Sequence, residues 1–392
     1  MNTRLVELDG LRGIAIALVV LFHFGLFPPG WVGVQLFFVL SGYLISDILL
    51  TEREKPLAAY LGRFYWRRSL RIFPLYFYYL VIMSVLFTAT NEPKSLEIDW
   101  PFLVTYTTNF GRLRISDVGP TFTHLWSLAI EEQFYLLWPL AVYFCSLASL
   151  KRIILAIIIL SPIARAIVYF TIRYLGYDDD FAGRAVYVLP FTQFDAFAFG
   201  AAISAWNLQK FQYPRRLIVA VGVLTALLGA AVILHQHFAY KAAFKASLGY
   251  QMYLLADNGF IWAYSLLNLL SAAAVICAIQ RLPAVGFLRN SILSRTGVIS
   301  YGIYVYHVPV LIGLKWLLGP FAENHILATF VAYAGVVFIV SELSFRFIEK
   351  PFLSMRNVRV RTTGVVVSRL DPERSLHYKG IRRQQNRTSD LI

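Results

Sequence analysis

The sequence predicts an all-α polytopic membrane protein of about ten transmembrane helices, with both termini cytoplasmic. Three observations carry this expectation. Of 392 residues, 58% are hydrophobic and only 15% are charged. Soluble domains run about 45–50% apolar and about 25% charged, so this chain has too little charge to cover a water-facing surface, and too much apolar residue to be disordered over most of its length. The apolar residues gather in runs long enough to cross about 30 Å of hydrocarbon, which takes about 17–25 residues. The basic residues, finally, fall unevenly on the segments between those runs.

In order, the runs cover 13–28, 31–50, 72–90, 126–147, 153–172, 187–208, 217–237, 259–280, 298–318 and 326–347. The first is short and close to the N-terminus. Its flank is weakly basic and contains Asp9, and it leads into Phe27-Pro28-Pro29-Gly30-Trp31 with no small-residue cleavage site. It is therefore expected to be a retained span, joined to the second by a tight Pro-Gly turn. Before the third run lies a basic loop holding Arg63, Arg67, Arg68 and Arg71 with Phe64, Tyr65 and Trp66 between them. The fourth opens at Trp126 and carries Glu131 and Glu132; the fifth contains Arg165, the sixth Asp195, the ninth His307 and Lys315.

The net charge of +14 decides orientation. With the N-terminus inside, 27 of the 36 Lys and Arg fall on inner segments, 7 on outer ones, and Arg165 and Lys315 within spans. That asymmetry is the positive-inside pattern, so the charge maps topology and no nucleic-acid partner is expected. Two cysteines, Cys145 and Cys277, both inside apolar runs, offer neither a disulfide framework nor metal-ligand spacing. No metal is expected. Residues 1–352 read as one membrane domain, and 353–392 as a basic cytoplasmic tail, disordered and close to anionic lipid.

A charge or imidazole inside hydrocarbon costs a few kcal/mol at least, so each one is a functional candidate. Arg12 and His23 are eleven residues apart, about three helical turns, and share one face of the first span about 16.5 Å apart along its axis. Arg68 and Arg71 form an i, i+3 pair able to grip phosphate; taken alone, the motif favours a positive-inside anchor with interfacial aromatics. Two adjacent carboxylates one to two turns into a span are hard to explain as packing. Helical rise puts Glu131 and His23 at similar depth, so a contact between them, a general base with a charge-compensating partner, is geometrically open. Ser41-Gly42-Tyr43, Asp195, His307, Glu342 and Glu349 could each serve helix–helix hydrogen bonding, and Arg165 could neutralise either Asp195 or Glu131.

Taken in chain order, several motifs add up to a resemblance. They are Leu8-Asp9-Gly10-Leu11-Arg12-Gly13, the Arg12–His23 spacing, Phe37-Phe38-Val39-Leu40-Ser41-Gly42-Tyr43, and Arg68-Ser69-Leu70-Arg71 followed by Ile72-Phe73-Pro74. Trp126-Ser127-Leu128 with Glu131, Gln133, Phe134 and Tyr135, then Phe194-Asp195-Ala196, Ser300-Tyr301 through His307-Val308-Pro309, and Phe347-Ile348-Glu349-Lys350-Pro351 complete the series. Over residues 5–352 the chain resembles the acyltransferase-3 family of integral membrane acyltransferases, which includes bacterial O-antigen, exopolysaccharide and nodulation-factor O-acetyltransferases. The resemblance implies a multi-pass protein of the bacterial inner membrane. It implies acyl-CoA, foremost acetyl-CoA, as cytoplasmic co-substrate rather than bound cofactor, and a hydroxyl of a glycan or lipid-linked glycan at the outer side as acceptor. It makes His23 the catalytic base or acyl carrier, Glu131 its partner, and Arg12, Arg68 and Arg71 the donor-binding residues. Ser41, Gly42, Trp126, Ser127, Glu132, Tyr135, Asp195 and His307 would line the substrate channel. Some members carry an extracytoplasmic esterase-like domain; here the chain is expected to act as a stand-alone membrane domain or with a separate partner. A small-molecule acceptor such as a macrolide, a secondary transporter with a His/Glu/Asp/Arg relay, and a membrane scaffold are the competing readings.

Overall fold

A computed structural model describes residues 5–89, 93–113, 120–241, 243 and 246–356; most of the expected tail, 357–392, lies outside them. The described residues are helical, with no strand among them. Helix α1 (Val6–Phe24) ends where Gly25 turns left-handed at φ 93°, its N–H closing back on the carbonyls of Leu21 and Phe22. A 3-10 turn over Pro28–Trp31 then feeds directly into α2 (Val32–Glu52), so the predicted tight Pro-Gly connection forms.

Helix α3 (Leu57–Ala89) corrects one expectation. The predicted inner basic loop is itself helical, and α3 runs 33 residues, about 50 Å at 1.5 Å per residue and far longer than the hydrocarbon. Arginine is a good helix former, and nothing between Leu57 and Pro74 breaks the turn. Next come α4 (Pro93–Val104), α5 (Thr108–Gly111) and a 3-10 turn at Pro120–Leu125 leading into α6 (Trp126–Phe144). This stretch, expected as an outer loop, packs into the bundle. Asn109 is fully buried and bonds to Gln133 and the Val188 carbonyl, and Tyr106 stacks on Tyr76 at 4.4 Å.

The chain continues through α7 (Leu147–Tyr174), α8 (Asp179–Val188), α9 (Pro190–Ala205), α10 (Pro214–Tyr240), α11 (Gly259–Ile279), α12 (Ser291–Val298), α13 (Ser300–Leu318), α14 (Pro320–Asn324) and α15 (Ile326–Ser344). A helix underlies each of the ten predicted spans. By length and composition seven of them could cross a membrane, eight if α8 and α9, bent by 42°, count as one broken span. Pro190, which has no N–H to continue a helix, starts the second half of that bend. Helices α1 and α6 miss the apolar criterion because of the residues that make them interesting: Glu7, Asp9 and Arg12 in one, Glu131, Glu132 and Gln133 in the other.

Burial sorts centre from rim. Two-thirds of the most apolar window of α2 is buried, against 17% for α7 and α10. The inner pair α2 and α9 approach backbone to backbone: a β-carbon on Gly200 would overlap the Val39 carbonyl and one on Gly42 the Phe197 carbonyl. Small residues at such crossings let helix packing replace the missing hydrophobic drive between helices in lipid. Across the same interface Phe38 stacks on Phe197 at 4.7 Å. Farther out, Arg165 of α7 lies fully buried against Asp195 of α9 at 3.1 Å; Ser265 of α11 bonds both. That cluster ties three helices together.

Candidate active site

Two cavities lie inside the bundle, end to end. The larger encloses about 780 Å³, open solvent included, within the range of small-molecule sites. Arg12 of α1, Ser41 of α2, Arg68 and Arg71 of α3, Ser127, Glu131 and Tyr135 of α6, and Tyr301 and Tyr304 of α13 line it. Along α3 the arginines divide their labour. Arg63 and Arg67 pair with Glu52 at 3.3 and 4.0 Å, as an anchoring face would. Arg68 and Arg71, one face round, point to the cavity and make no hydrogen bond or ion pair with any described residue. Arg68 instead lies over the Tyr135 ring at 5.0 Å. Arg12 is held by Asp9 at 3.2 Å. Glu131 accepts hydrogen bonds from Ser41 and Tyr135. It is the only acid among the lining residues, so the cavity carries a surplus of positive charge.

The second cavity, about 350 Å³, is lined by His23, Arg112, His124, Trp126 and Tyr187 among others. Val34 and Tyr304 belong to the walls of both cavities, and so form the partition between them. Tyr304 is fixed there: its hydroxyl lies 2.5 Å from Ser127 Oγ and donates to the His124 carbonyl.

Hydrogen bonds assign the tautomers of the histidines, since a carbonyl can only accept. His307 Nδ1 lies 2.7 Å from the Tyr304 carbonyl and therefore carries the proton, which leaves Nε2 of the neutral ring a lone pair. That lone pair faces His23 Nδ1 at 3.3 Å, and the Val19 carbonyl lies 2.9 Å from the same Nδ1. His23 is thus protonated on Nδ1 and shared between two acceptors. Its Nε2 is left as a lone pair with no partner among the described residues. An imidazole so oriented can act as base or nucleophile. The three rings stack edge-on, His23 to His307 at 4.7 Å and His124 to His307 at 5.0 Å, and no metal-ligand group occurs among the described residues.

The structure brings together Arg12, Arg68, Arg71, Ser41, Ser127, Glu131 and Tyr135 on one cavity, and His23 and Trp126 on the next. It does not join His23 to Glu131. Helical rise leaves direction open: α1 turns His23 towards α13, while α6 turns Glu131 towards α2, so His307 occupies the partner position. Three further expected channel residues lie elsewhere. Gly42 is consumed by the α2–α9 contact, and Asp195 is neutralised by Arg165, which settles that arginine's partner. Glu132, one residue round the helix from Glu131, faces a lateral pocket with Tyr106 and Gln133 that shares the Arg68 and Tyr135 walls with the first cavity. Glu342 pairs with Arg295 and Arg346. Sequence reasoning missed Arg112, His124 and Tyr304 as lining residues. Tyr304 stands inside a quoted motif and His124 two residues before another, but Arg112 sits in a segment that reads as an outer loop and carries no signal.

A bundle with helices long and apolar enough to cross a membrane encloses these two cavities. Residues 5–344 match the profile of the acyltransferase domain family, and the chain belongs to that family. Among its relatives is the peptidoglycan O-acetyltransferase OatA of Listeria monocytogenes, 30% identical over 88% of this chain and 55% of the relative. The O-acetyltransferase OatA of Staphylococcus aureus is 25% identical over 88% of this chain and 56% of its own. BcsY of Komagataeibacter xylinus, named for membrane-bound transacylase activity, is 26% identical over 90% of this chain and 83% of its own. The chain spans about half the length of the OatA relatives it matches. No solved structure matches it.

Proposed function

We propose that this enzyme moves an acyl group, foremost acetyl, from cytoplasmic acyl-CoA to a hydroxyl of a carbohydrate or lipid-linked carbohydrate at the outer face of a bacterial inner membrane. The observation that carries the reading is the split of the α3 arginines. Arg68 and Arg71 face a cavity with no hydrogen-bond or ion-pair partner among the described residues, while their neighbours are neutralised by Glu52. Unpaired guanidiniums in a membrane bundle are costly and call for an anion, and the CoA phosphates suit a bidentate guanidinium grip. The thin pantetheine arm then runs along α1 from Arg12 towards His23, about 16.5 Å by helical rise. There an imidazole nitrogen with a free lone pair awaits the thioester carbonyl. The orientation follows from the basic residues, and the carbohydrate acceptor is supported by relatives named for peptidoglycan.

The test is reconstitution into vesicles with radiolabelled acetyl-CoA and a peptidoglycan-derived or lipid-linked glycan, comparing the wild type with His23→Ala and Glu131→Ala. Label reaching the acceptor only with intact His23 and Glu131 is the expected result. Undiminished transfer by His23→Ala would sink the assignment of the site. Absence of transfer by the wild type, with saturable glycan movement across the vesicle, would turn the reading towards transport.

A further inference from the structure

His124 presents a problem that the donor-side chemistry leaves unsolved. It sits in the 3-10 turn before α6, 2% exposed. Its Nε2 lies 3.2 Å from the Val305 carbonyl and so carries the proton. Its Nδ1 is then a lone pair, buried and without a partner among the described residues. Buried acceptors without a donor are rare in folded proteins, and each asks for a reason. His124 is also held in place: Tyr304 bonds its carbonyl, and α6 begins two residues later. The ring therefore lines the cavity it shares with His23 and cannot easily turn to find another donor.

Two neutral imidazoles thus offer lone pairs at one cavity, His23 through Nε2 and His124 through Nδ1. Direct transfer within a ternary complex needs one base. Transfer in two steps needs a nucleophile and a base, and this one cavity presents two imidazole lone pairs for those roles.

We propose that His124 is a second catalytic imidazole, the base that takes the proton of the acceptor hydroxyl on Nδ1 while His23 carries the acyl group on Nε2. This rests on acyl-CoA as the donor. In the first step His23 Nε2 attacks the thioester carbonyl. The N–C bond forms, the C–S bond breaks, and CoA leaves as the thiolate; His23, keeping its Nδ1 proton, becomes an acylimidazolium. In the second step the acceptor oxygen attacks that carbonyl. The O–C bond forms, the C–N bond breaks, and the hydroxyl proton passes to His124 Nδ1. His23 returns neutral, and the positive charge now rests on His124 until its proton goes to water. The thiolate gains a proton on its own side, so the sum is hydroxyl plus thioester to ester plus thiol.

The experiment separates the half-reactions in the purified full-length protein in lipid nanodiscs. Exchange of labelled CoA into acetyl-CoA, with no acceptor present, reads the first step. Hydrolysis of acetyl-CoA by water and transfer to chitopentaose read the second. His124→Gln and His124→Asn, checked for wild-type chromatographic profile and melting, are expected to keep exchange within about threefold and to lose hydrolysis and transfer by about 100-fold, the low end for a general base. His23→Ala is expected to lose both. Loss of exchange in step with transfer in both His124 variants would make the residue a packing element and overturn the proposal, as would wild-type transfer in either. A wild type that transfers acetyl without exchange carries no acyl group on His23; the proposal then fails while the acyltransferase reading stands. A wild type with neither exchange, hydrolysis nor transfer overturns the acyl-CoA reading itself, and the proposal with it.

Discussion

Nε2 of His307 lies 3.3 Å from Nδ1 of His23, and the Tyr304 carbonyl holds the opposite nitrogen of His307 at 2.7 Å. The relay is short and one-directional: a backbone carbonyl fixes one ring, and that ring helps fix the next. If His23 is the catalytic imidazole proposed above, His307 is a positioning residue for it, acting on the tautomer rather than on substrate. Orienting partners of ring nitrogens are worth about 10–100-fold. His307→Leu is expected to lower kcat by that factor and leave KM for acyl-CoA unchanged, which steady-state kinetics will show. A rise in KM with constant kcat would move His307 into donor binding.

The arginines of α3 make a separable pair of predictions. A charge-assisted hydrogen bond is worth about 1.5–3 kcal/mol, roughly 10–100-fold in affinity. Arg68→Ala and Arg71→Ala should each weaken CoA binding by that much in calorimetry on the purified protein. Arg63→Ala, whose guanidinium already pairs with Glu52 at 3.3 Å, should bind CoA within about twofold of wild type.

Stability rests partly on the charge cluster of Arg165 and Asp195, both fully buried. Removing one partner of such a pair leaves a buried, uncompensated charge at a cost of about 3–5 kcal/mol, whereas replacing both with apolar residues is often neutral. Asp195→Ala should therefore lower the melting temperature in detergent sharply, and Arg165→Met with Asp195→Leu should recover most of it. Failure of the double variant to recover would mean that Ser265 and the Thr192 carbonyl, left without their donor or acceptor, dominate the cost.

The crossing of α2 and α9 is equally testable. Gly200→Val should be destabilising by about 1–3 kcal/mol or more, because the added carbons meet the backbone of Val39 and Tyr43. Gly222→Val, where nothing lies within 4 Å, should melt with the wild type.

The helices were legible because apolar runs and their lengths obey one rule, the thickness of hydrocarbon. What composition could not place was direction around each axis. Helical rise predicts similar depth for His23 and Glu131, but the two side chains line different cavities, and rotation sends one to His307 and the other to Ser41 and Tyr135. The arginine pair could be read as phosphate-binding or as an anchor; only the contacts of Glu52, which depend on how α2 ends beside α3, divide Arg63 and Arg67 from Arg68 and Arg71. Asp195 and Gly42 were expected in the channel because buried polar and small residues suggest function, and here the packing of α7, α9 and α2 uses them instead. Arg112 had no readable signal, since the segment between α3 and α6 looks like a loop until Asn109 and Tyr106 are seen buried against the helices.

The partition formed by Val34 and Tyr304 has a bearing on the host membrane as well as on catalysis. A single aqueous bore from one face to the other would conduct protons, and each elementary charge leaking through is worth about 2.3 kcal/mol per 100 mV of potential. Two chambers meeting at a hydroxyl clamp of Tyr304, Ser127 and the His124 backbone interrupt such a bore.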